Sequence, residues 1–351
     1  MKKVLKQVLG IDVAQKELVV TMGRLLDDLS KELYAHKVFK NSESGIKLLI
    51  DWAEKVSDNT LIVHYVMEST GVYHQKFAYY LSEHGQQLSI VLPNKISNYM
   101  RSLEVKTITD KTCSEAIARF GLERKLDIWE KPKMIYRSLQ QLTRERDQIV
   151  NERSIVKNQL HAEKSEAYPY QKSLDRLKAR VSFLNAQEKE IKKDISKIVS
   201  RDIALQQDVK IMCTLPGIGE LTAVIVLAET NGFELIRSKK QLAGYSGFDV
   251  KEKLSGTSVK GKPKISKKGN RHLRKAMYLP SLSAVKCDER FKAIYVRILA
   301  KNGIKMKGLV AVQRKMLEMV YTLFKNKTSY DREYLKKENS VPIQDQYAIT
   351  G

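Results

Sequence analysis

A mixed α/β N-terminal part, a long helical hairpin and a mainly helical C-terminal part are what this sequence predicts. Three observations carry that expectation. Short β-rich runs alternate with amphipathic segments over the first 120 residues. A sustained heptad pattern, broken once at a proline, fills the middle. Helical periodicity resumes after residue 208.

Residues 4–13 form an apolar-rich strand, and 18–22 and 34–39 read as the next two. Residues 42–56 have helical spacing, with Ile46, Leu49 and Trp52 on one face. The run LIVHYVM at 61–67 is a buried strand, followed by a helix over about 73–84 and a strand over 88–92 that Pro93 stops. Another helix is predicted over about 109–120. Three strands, a helix, then alternating strands and helices is the order of an RNase H-like sheet.

Pro132 marks the next boundary. From Ile135 to Leu160, and again from Leu174 to Ile198, apolar residues recur with 4-3 spacing. The turn at Tyr168-Pro169-Tyr170 separates the two, so the segment reads as a coiled-coil hairpin, serving as a spacer or as an oligomerisation arm. Arg146, Arg153 and Glu188 occupy polar positions in its seam. After residue 208, LPGIGELTA at 215–223 leads into an apolar helix over 223–229. Helices follow over 273–285, kinked at Pro280, then 291–300 and, after Gly303, 308–324. The expected division is 1–130, 131–207, 208–325 and a flexible tail over 326–351.

The chain carries 63 Lys and Arg against 40 Asp and Glu, a formal charge of +23 in 351 residues, with a pI of about 9.7. That excess points to a polyanionic partner, most simply nucleic acid. A hydrophobic fraction of 42% excludes a disordered basic tail. Three scattered cysteines argue for a reducing compartment rather than a disulfide framework. No signal h-region or membrane span is visible, so a cytoplasmic protein with no membrane partner is expected.

Two constellations carry chemistry. Asp12 closes the first strand, Glu68 closes LIVHYVM, and Asp110 opens a helix. In an RNase H-like sheet such acids converge, and hard carboxylates that hold Mg²⁺ suit phosphoryl transfer. Each acid by itself would also serve as an ordinary strand-end or capping residue. The second constellation is cationic: residues 237–275 hold 13 Lys and Arg against only Asp249 and Glu252. Lys260, Lys262, Lys264, Lys267, Lys268, Arg271 and Arg274 are candidate nucleic-acid contacts there. Upstream, Gly217 and Gly219 let backbone N–H groups approach a phosphate, although a plain helix joint explains them equally well. A serine before glycine in such a loop can reach a phosphodiester, with neighbouring cations stabilising the developing charge.

The motifs GIDVAQK at 10–16, ESTGVYH at 68–74, VLPNK at 91–95 and KTITDKTCSEAIA at 106–118 resemble the N-terminal half of the DEDD transposases. These form the insertion-sequence family numbered one hundred and ten, related to the pilin gene invertase. The segment around 244–274, with the Pro-Gly-Ile-Gly turn before it, is similar to that family's C-terminal domain. The resemblance implies a RuvC-like first domain, with Asp12, Glu68 and Asp110 as the first three acids of the tetrad, binding Mg²⁺. The fourth position holds Cys113, a soft ligand and a poor partner for Mg²⁺. It further implies a serine nucleophile at Ser255, with Ser246 and Ser258 as second and third choices. On that pattern DNA is cut and rejoined through a covalent phosphoserine, under guidance from a structured bridge RNA. The same resemblance implies a homo-oligomer, dimer or tetramer, joined through the coiled coil, with one subunit's acids paired to another's serine. A nucleoid-associated prokaryotic setting goes with it. The alternatives are a RuvC-like structure-selective nuclease and an inactive nucleic-acid-binding relative.

Overall fold

In the computed structural model, residues 3–333 are described, apart from residues 70, 104–105, 235, 253, 256–258 and 261–262 and the side chains of 254, 255, 259, 260 and 302. The chain divides into two compact units, Met1–Lys131 and Pro132–Gly351.

The first unit is built on strands β1 (Val4–Val13), β2 (Glu17–Leu26), β3 (Lys31–Lys40), β4 (Val63–Glu68) and β5 (Gln87–Val91). Their order in the sheet is β3-β2-β1-β4-β5. The first three strands form an antiparallel meander, and β4 and β5 run parallel to β1. Helices α1 (Glu43–Val56) and α2 (Gln75–Glu83) cover one face, where Leu9, Ile11, Leu49 and Phe77 are buried. Helices α3 (Pro93–Ser102) and α4 (Asp110–Glu123) cover the other, over Val8, Val66, Tyr99 and Ile117. With both faces covered, β1 reads as a continuous apolar run rather than an alternating one.

Several boundaries differ from the sequence expectation for identifiable reasons. The antiparallel hairpin continues past the apolar core of β2 and β3, where Arg24 pairs with Glu32 across the strands. Leu61 and Ile62 precede β4, because the Gln7 amide donates to the carbonyls of Asp58 and Leu61 and fixes that loop as a turn. Pro93 both ends β5's run and begins α3, a helix absent from the sequence expectation; proline suits a first helical turn, whose N–H groups have no intrahelical acceptor.

The second unit opens with α5 (Met134–Lys164) and α6 (Gln171–Arg201), an antiparallel hairpin. Leu139, Ile149 and Val156 of α5 and Leu184, Ile191 and Ile195 of α6 are buried in its seam. Between these layers Glu188 lies under Arg146, at 2.8 Å, and Arg153. Next come α7 (Ile203–Cys213), α8 (Glu220–Thr230) and α9 (Lys239–Ser246). Two small ribbons follow, β6 (Val250–Lys251) paired with β9 (Lys264–Ile265), and β7 (Leu254–Ser255) paired with β8 (Val259–Lys260). The helix expected over 273–285 is two helices, α10 (Arg271–Ala276) and α11 (Tyr278–Cys287). They part at Met277 because Pro280 offers no N–H to the preceding turn and its ring crowds the carbonyl four residues back. Helices α12 (Glu289–Asn302) and α13 (Lys305–Asn326) complete the unit, with Gly303 at φ +67° between them. Residues 327–330, expected in the tail, are fastened down. Lys327 pairs with Asp208, the Tyr330 amide donates to Thr214 Oγ1 at 2.8 Å, and the Tyr330 hydroxyl donates to Asp288 at 3.0 Å.

Candidate active site

Side-chain alternation decides which acids share a face. On β1, Val8 and Gly10 turn toward α4, so Asp12 does too; on β4, Val66 does, so Glu68 follows. The parallel register pairs Gly10 with Val66 and Ile11 with Met67, and the next step along both strands sets Asp12 beside Glu68. Helix α4 runs antiparallel to β1: Gly121 lies against Val8, Ser114 and Ala118 lie over Gly10, and the helix start with Asp110 reaches the Asp12 end. Thr109 caps that start through a reciprocal box with Thr112. The Thr21 and Ser114 hydroxyls, 2.7 Å apart and buried, pin the helix to β2.

The closeness of α4 to β1 depends on glycine. A Cβ at Gly10 would lie 2.3 Å from the Ala118 nitrogen and 2.4 Å from the Ser114 carbonyl oxygen. An isolated glycine in a strand pattern is the signal of such an approach.

The charges of these groups reach one another. Burial, and then the charge of Asp110, raises Asp12 above the usual aspartate range. Burial, and then Asp12, raises Glu68. Cys113, one turn along α4 from Asp110, is pushed up to about 11 by burial and by the charges of Asp12, Glu68 and Asp110. Among the described residues, no Lys or Arg pairs with the three acids, and no three His, Cys, Asp or Glu side chains lie close enough to hold one ion between them.

In the second unit the structure separates the candidate serines. Ser246 is fully buried near the end of α9, and its hydroxyl donates back to the carbonyls of Leu242 and Ala243, so it is packed as a structural side chain. Ser255 lies in β7, its backbone paired with Val259, while its side chain and all of Ser258 and Lys262 lie outside the described residues, as does the Lys260 side chain. Lys264, Lys267, Lys268 and Arg271 are exposed and form no ion pair among the described residues. Arg274 is half-buried, donating to the carbonyls of Ser246 at 2.8 Å and Gly269 at 3.2 Å, so it supports the loop rather than standing free. Gly217 has φ +89° and sits where a Cβ would meet the Pro280 carbonyl at 2.4 Å, which gives it a packing role. Gly219 caps α8 with open space around it, leaving the helix N-terminus approachable.

One buried ion pair of the second unit escaped the sequence reading. Glu229, at the end of the apolar run of α8, is 2% exposed and takes Arg144 in a two-point pair at 2.8 Å on each arm. A charged residue inside an apolar helix needs a partner, and that was its signal.

A mixed sheet with acids gathered at one strand end, and a chain of net charge +23, fit a protein that acts on nucleic acid, and comparison with known proteins gives the class. Residues 9–169 match a family model described as Transposase, which carries the DEDD and IS110 designations, and residues 209–296 match the Transposase IS116/IS110/IS902 family. The chain is similar to the pilin gene-inverting protein of Moraxella bovis, 24% identical over 93% of this chain and 98% of that one. It is also similar to an IS110 insertion-element protein of Streptomyces coelicolor, 26% identical over 34% of this chain and 30% of the other. Among solved structures, T. thermophilus RuvC with a Holliday junction substrate covers 35% of this chain and 99% of its own at 12% identity, with a TM-score of 0.26, too low to bear on the fold. The chain belongs to the IS110 family of transposases. It is thus a DNA transposase/recombinase, with DNA as its substrate. No helix among the described residues is long and apolar enough to cross a membrane.

Proposed function

We propose that this transposase cuts and rejoins DNA through a covalent phosphoserine at Ser255, assisted by a divalent ion at an RNase H-like acidic site and guided by a structured RNA. The observation that carries the reading is the convergence of Asp12, Glu68 and Asp110 at one end of β1 and β4, under the start of α4. Asp12, raised by burial and by Asp110, and Glu68, raised by burial and by Asp12, gather with Asp110 where no Lys or Arg among the described residues offsets them, a set of hard donors suited to a divalent ion. Asp12, Glu68 and Asp110 stand farther apart here than one ion's shell, so they would have to draw together to hold Mg²⁺, which would then supply charge neutralisation at the scissile phosphate. Cys113, kept as a neutral thiol, contributes no charge.

Ser255 Oγ attacks phosphorus, one P–O bond to sugar breaks, and the serine proton passes through solvent to the departing sugar oxygen, which leaves as a hydroxyl. Lys264, Lys267, Lys268 and Arg271, exposed and without ion pairs among the described residues, hold the backbone beside that serine. The remaining positive charge suits a folded RNA bound by shape while base pairing reads sequence. The hairpin α5–α6 is the natural joint for a homo-oligomer.

The test is trapping. After incubation with cognate DNA and RNA and denaturation, the wild-type chain should carry a DNA adduct, Ser255→Ala should carry none, and Asp12→Ala should lose recombination. An adduct that survives Ser255→Ala removes the nucleophile assignment. Nicked DNA without any adduct would instead favour a structure-selective nuclease.

A further inference from the structure

In the second unit a cleft of about 620 Å³ opens between α5, α8, α10 and α11. Its floor is built around a buried carboxylate that is fully spent. Glu229 accepts from Arg144 Nε and Nη2 at 2.8 Å each, from Asn270 Nδ2 at 2.7 Å and from Gln140 Nε2 at 3.3 Å. Burial would raise this carboxyl, but the hydrogen bonds from Arg144 and Asn270 hold it below the usual range. Glu229 therefore serves as the seat of Arg144. That guanidinium has five N–H donors and spends two on Glu229. It lines the cleft with its side chain 42% exposed, so a fixed cation keeps donors in reserve.

The other walls add complementary chemistry. Leu221, Ile225 and Leu279 make an apolar side, with Leu279 71% exposed. Asp147, also in the lining, is bridged by Lys275 at 3.0 Å, with His272 at 3.7 Å. Gly219, without a neighbour that would crowd a strand, lies just before Leu221 at the start of α8.

We infer that this cleft receives a single unpaired nucleotide of the nucleic acid on which the chain acts. The inference rests on the nucleic-acid reading above and names what that surface selects. A flat apolar wall takes the face of a base, Arg144 and Lys275 take phosphate, and Asp147 accepts from an exocyclic amino group. The volume falls within the range of small-ligand clefts and accommodates a base with its sugar, not a helix. A base presents its face and its pairing edge only when unpaired, so the occupant is a bulged, everted or single-stranded nucleotide.

The experiment uses the full-length chain and two pairs of short duplex probes, one pair of DNA and one of RNA. Within each pair one duplex is fully matched and the other carries a single bulged 2-aminopurine. Anisotropy gives affinity, and the 2-aminopurine emission reports stacking or transfer of that base. The wild type should bind a bulged probe about tenfold tighter than its matched duplex, since stacking of a base contributes on that scale. The DNA and RNA arms identify which nucleic acid supplies the nucleotide. Leu279→Ser removes the apolar wall and Lys275→Gln one cation; both positions are exposed enough to keep the fold, and each should reduce the preference below about threefold. Equal binding of bulged and matched probes overturns the inference while leaving nucleic-acid binding intact. A preference that survives both variants, each with an unchanged thermal transition, also overturns it. Failure to bind any probe would remove the functional reading as well.

Discussion

Replacing Gly10 with alanine is the most direct perturbation of the acidic site that touches none of its acids. The added Cβ would lie 2.3 Å from the Ala118 nitrogen, 2.4 Å from the Ser114 carbonyl oxygen and 2.7 Å from the Ala118 Cα. All three are backbone atoms of α4, so no side chain can swing aside. Ordinary contact begins near 3.4 Å, and α4 must therefore retreat by about 1 Å from β1. Overpacking of this kind costs about 1–3 kcal/mol. The helix is continuous from Asp110 to Glu123, and the retreat carries Asp110 away from Asp12. A misplacement of about 1 Å in a reacting constellation costs on the order of 100-fold in rate.

Gly10→Ala should lower the unfolding transition of the Met1–Lys131 unit by roughly 4–10 °C and recombination of cognate DNA by on the order of 100-fold. Gly244→Ala is the control. Gly244 lies in α9 with nothing near a prospective Cβ, and alanine there should be neutral or stabilising by up to about 1 kcal/mol. If Gly10→Ala recombines at the wild-type rate with an unchanged melt, the close packing of α4 does not position Asp110.

Three further outcomes follow from other parts of the molecule. Burial would raise Glu188, but hydrogen bonds from Lys192, Arg146 and Arg153 hold it at about 2. Glu188→Ala strands two arginines in the seam and should cost about 3 kcal/mol in urea unfolding, whereas leucine at 146, 153 and 188 together should be neutral or stabilising; a cost below about 1 kcal/mol would contradict the buried-charge account. His64, 8% exposed and bonded to Ser89 Oγ at 2.9 Å, is lowered to about 4 by burial and by Lys6. The unfolded state then takes up the proton first, so roughly 3 kcal/mol of stability is present above pH 6.5 and is lost as pH falls toward 4. His64→Gln should flatten the urea midpoint across that window, and an equally steep profile would refute the assignment. Cys113→Asp should tighten Mg²⁺ binding by roughly an order of magnitude in calorimetry. Unchanged affinity would mean that position 113 lies outside the ion's reach.

The gathering of Asp12 and Glu68 at one edge of the sheet was legible in the sequence because its logic is periodic. Alternation sets Asp12 and Glu68 on the α4 face and strand ends place them at one edge, while their role as metal ligands comes from the resemblance to the DEDD transposases and not from spacing. Features that depend on close approach were harder to read. Gly10 is marked in the pattern, yet its meaning requires knowing that Ser114 and Ala118 lie over it. Ser246 resembles an exposed serine before glycine in a loop, since Gly244 and Ser246 are poor helix formers. Burial of Leu242, Ala243 and Phe248 overrides that propensity, forms α9 and hides the hydroxyl. The ribbons β6–β9 and β7–β8 are two residues per strand, too short to show any period. The pair of Arg144 with Glu229 spans 85 residues in sequence, and no local pattern encodes it.

Cysteine at position 113 also changes the balance of the site itself. Asp12 and Glu68 are both raised by burial and by a neighbouring carboxylate, so a further anion on α4 would add repulsion to groups already disfavoured in their charged forms. The thiol, held near 11, adds none at neutral pH. Aspartate there would place a fourth negative charge beside three that no lysine or arginine pairs with among the described residues. The cysteine thus favours the metal-free fold at the expense of ion affinity, and the two effects have opposite signs in one substitution. In chelator, Cys113→Asp should melt below the wild type. With Mg²⁺ at about 100 times its dissociation constant, binding returns about 2.7 kcal/mol and should close or reverse the gap. A gap that is the same with and without Mg²⁺ would show that the loss is one of packing, with the charge at 113 playing no part.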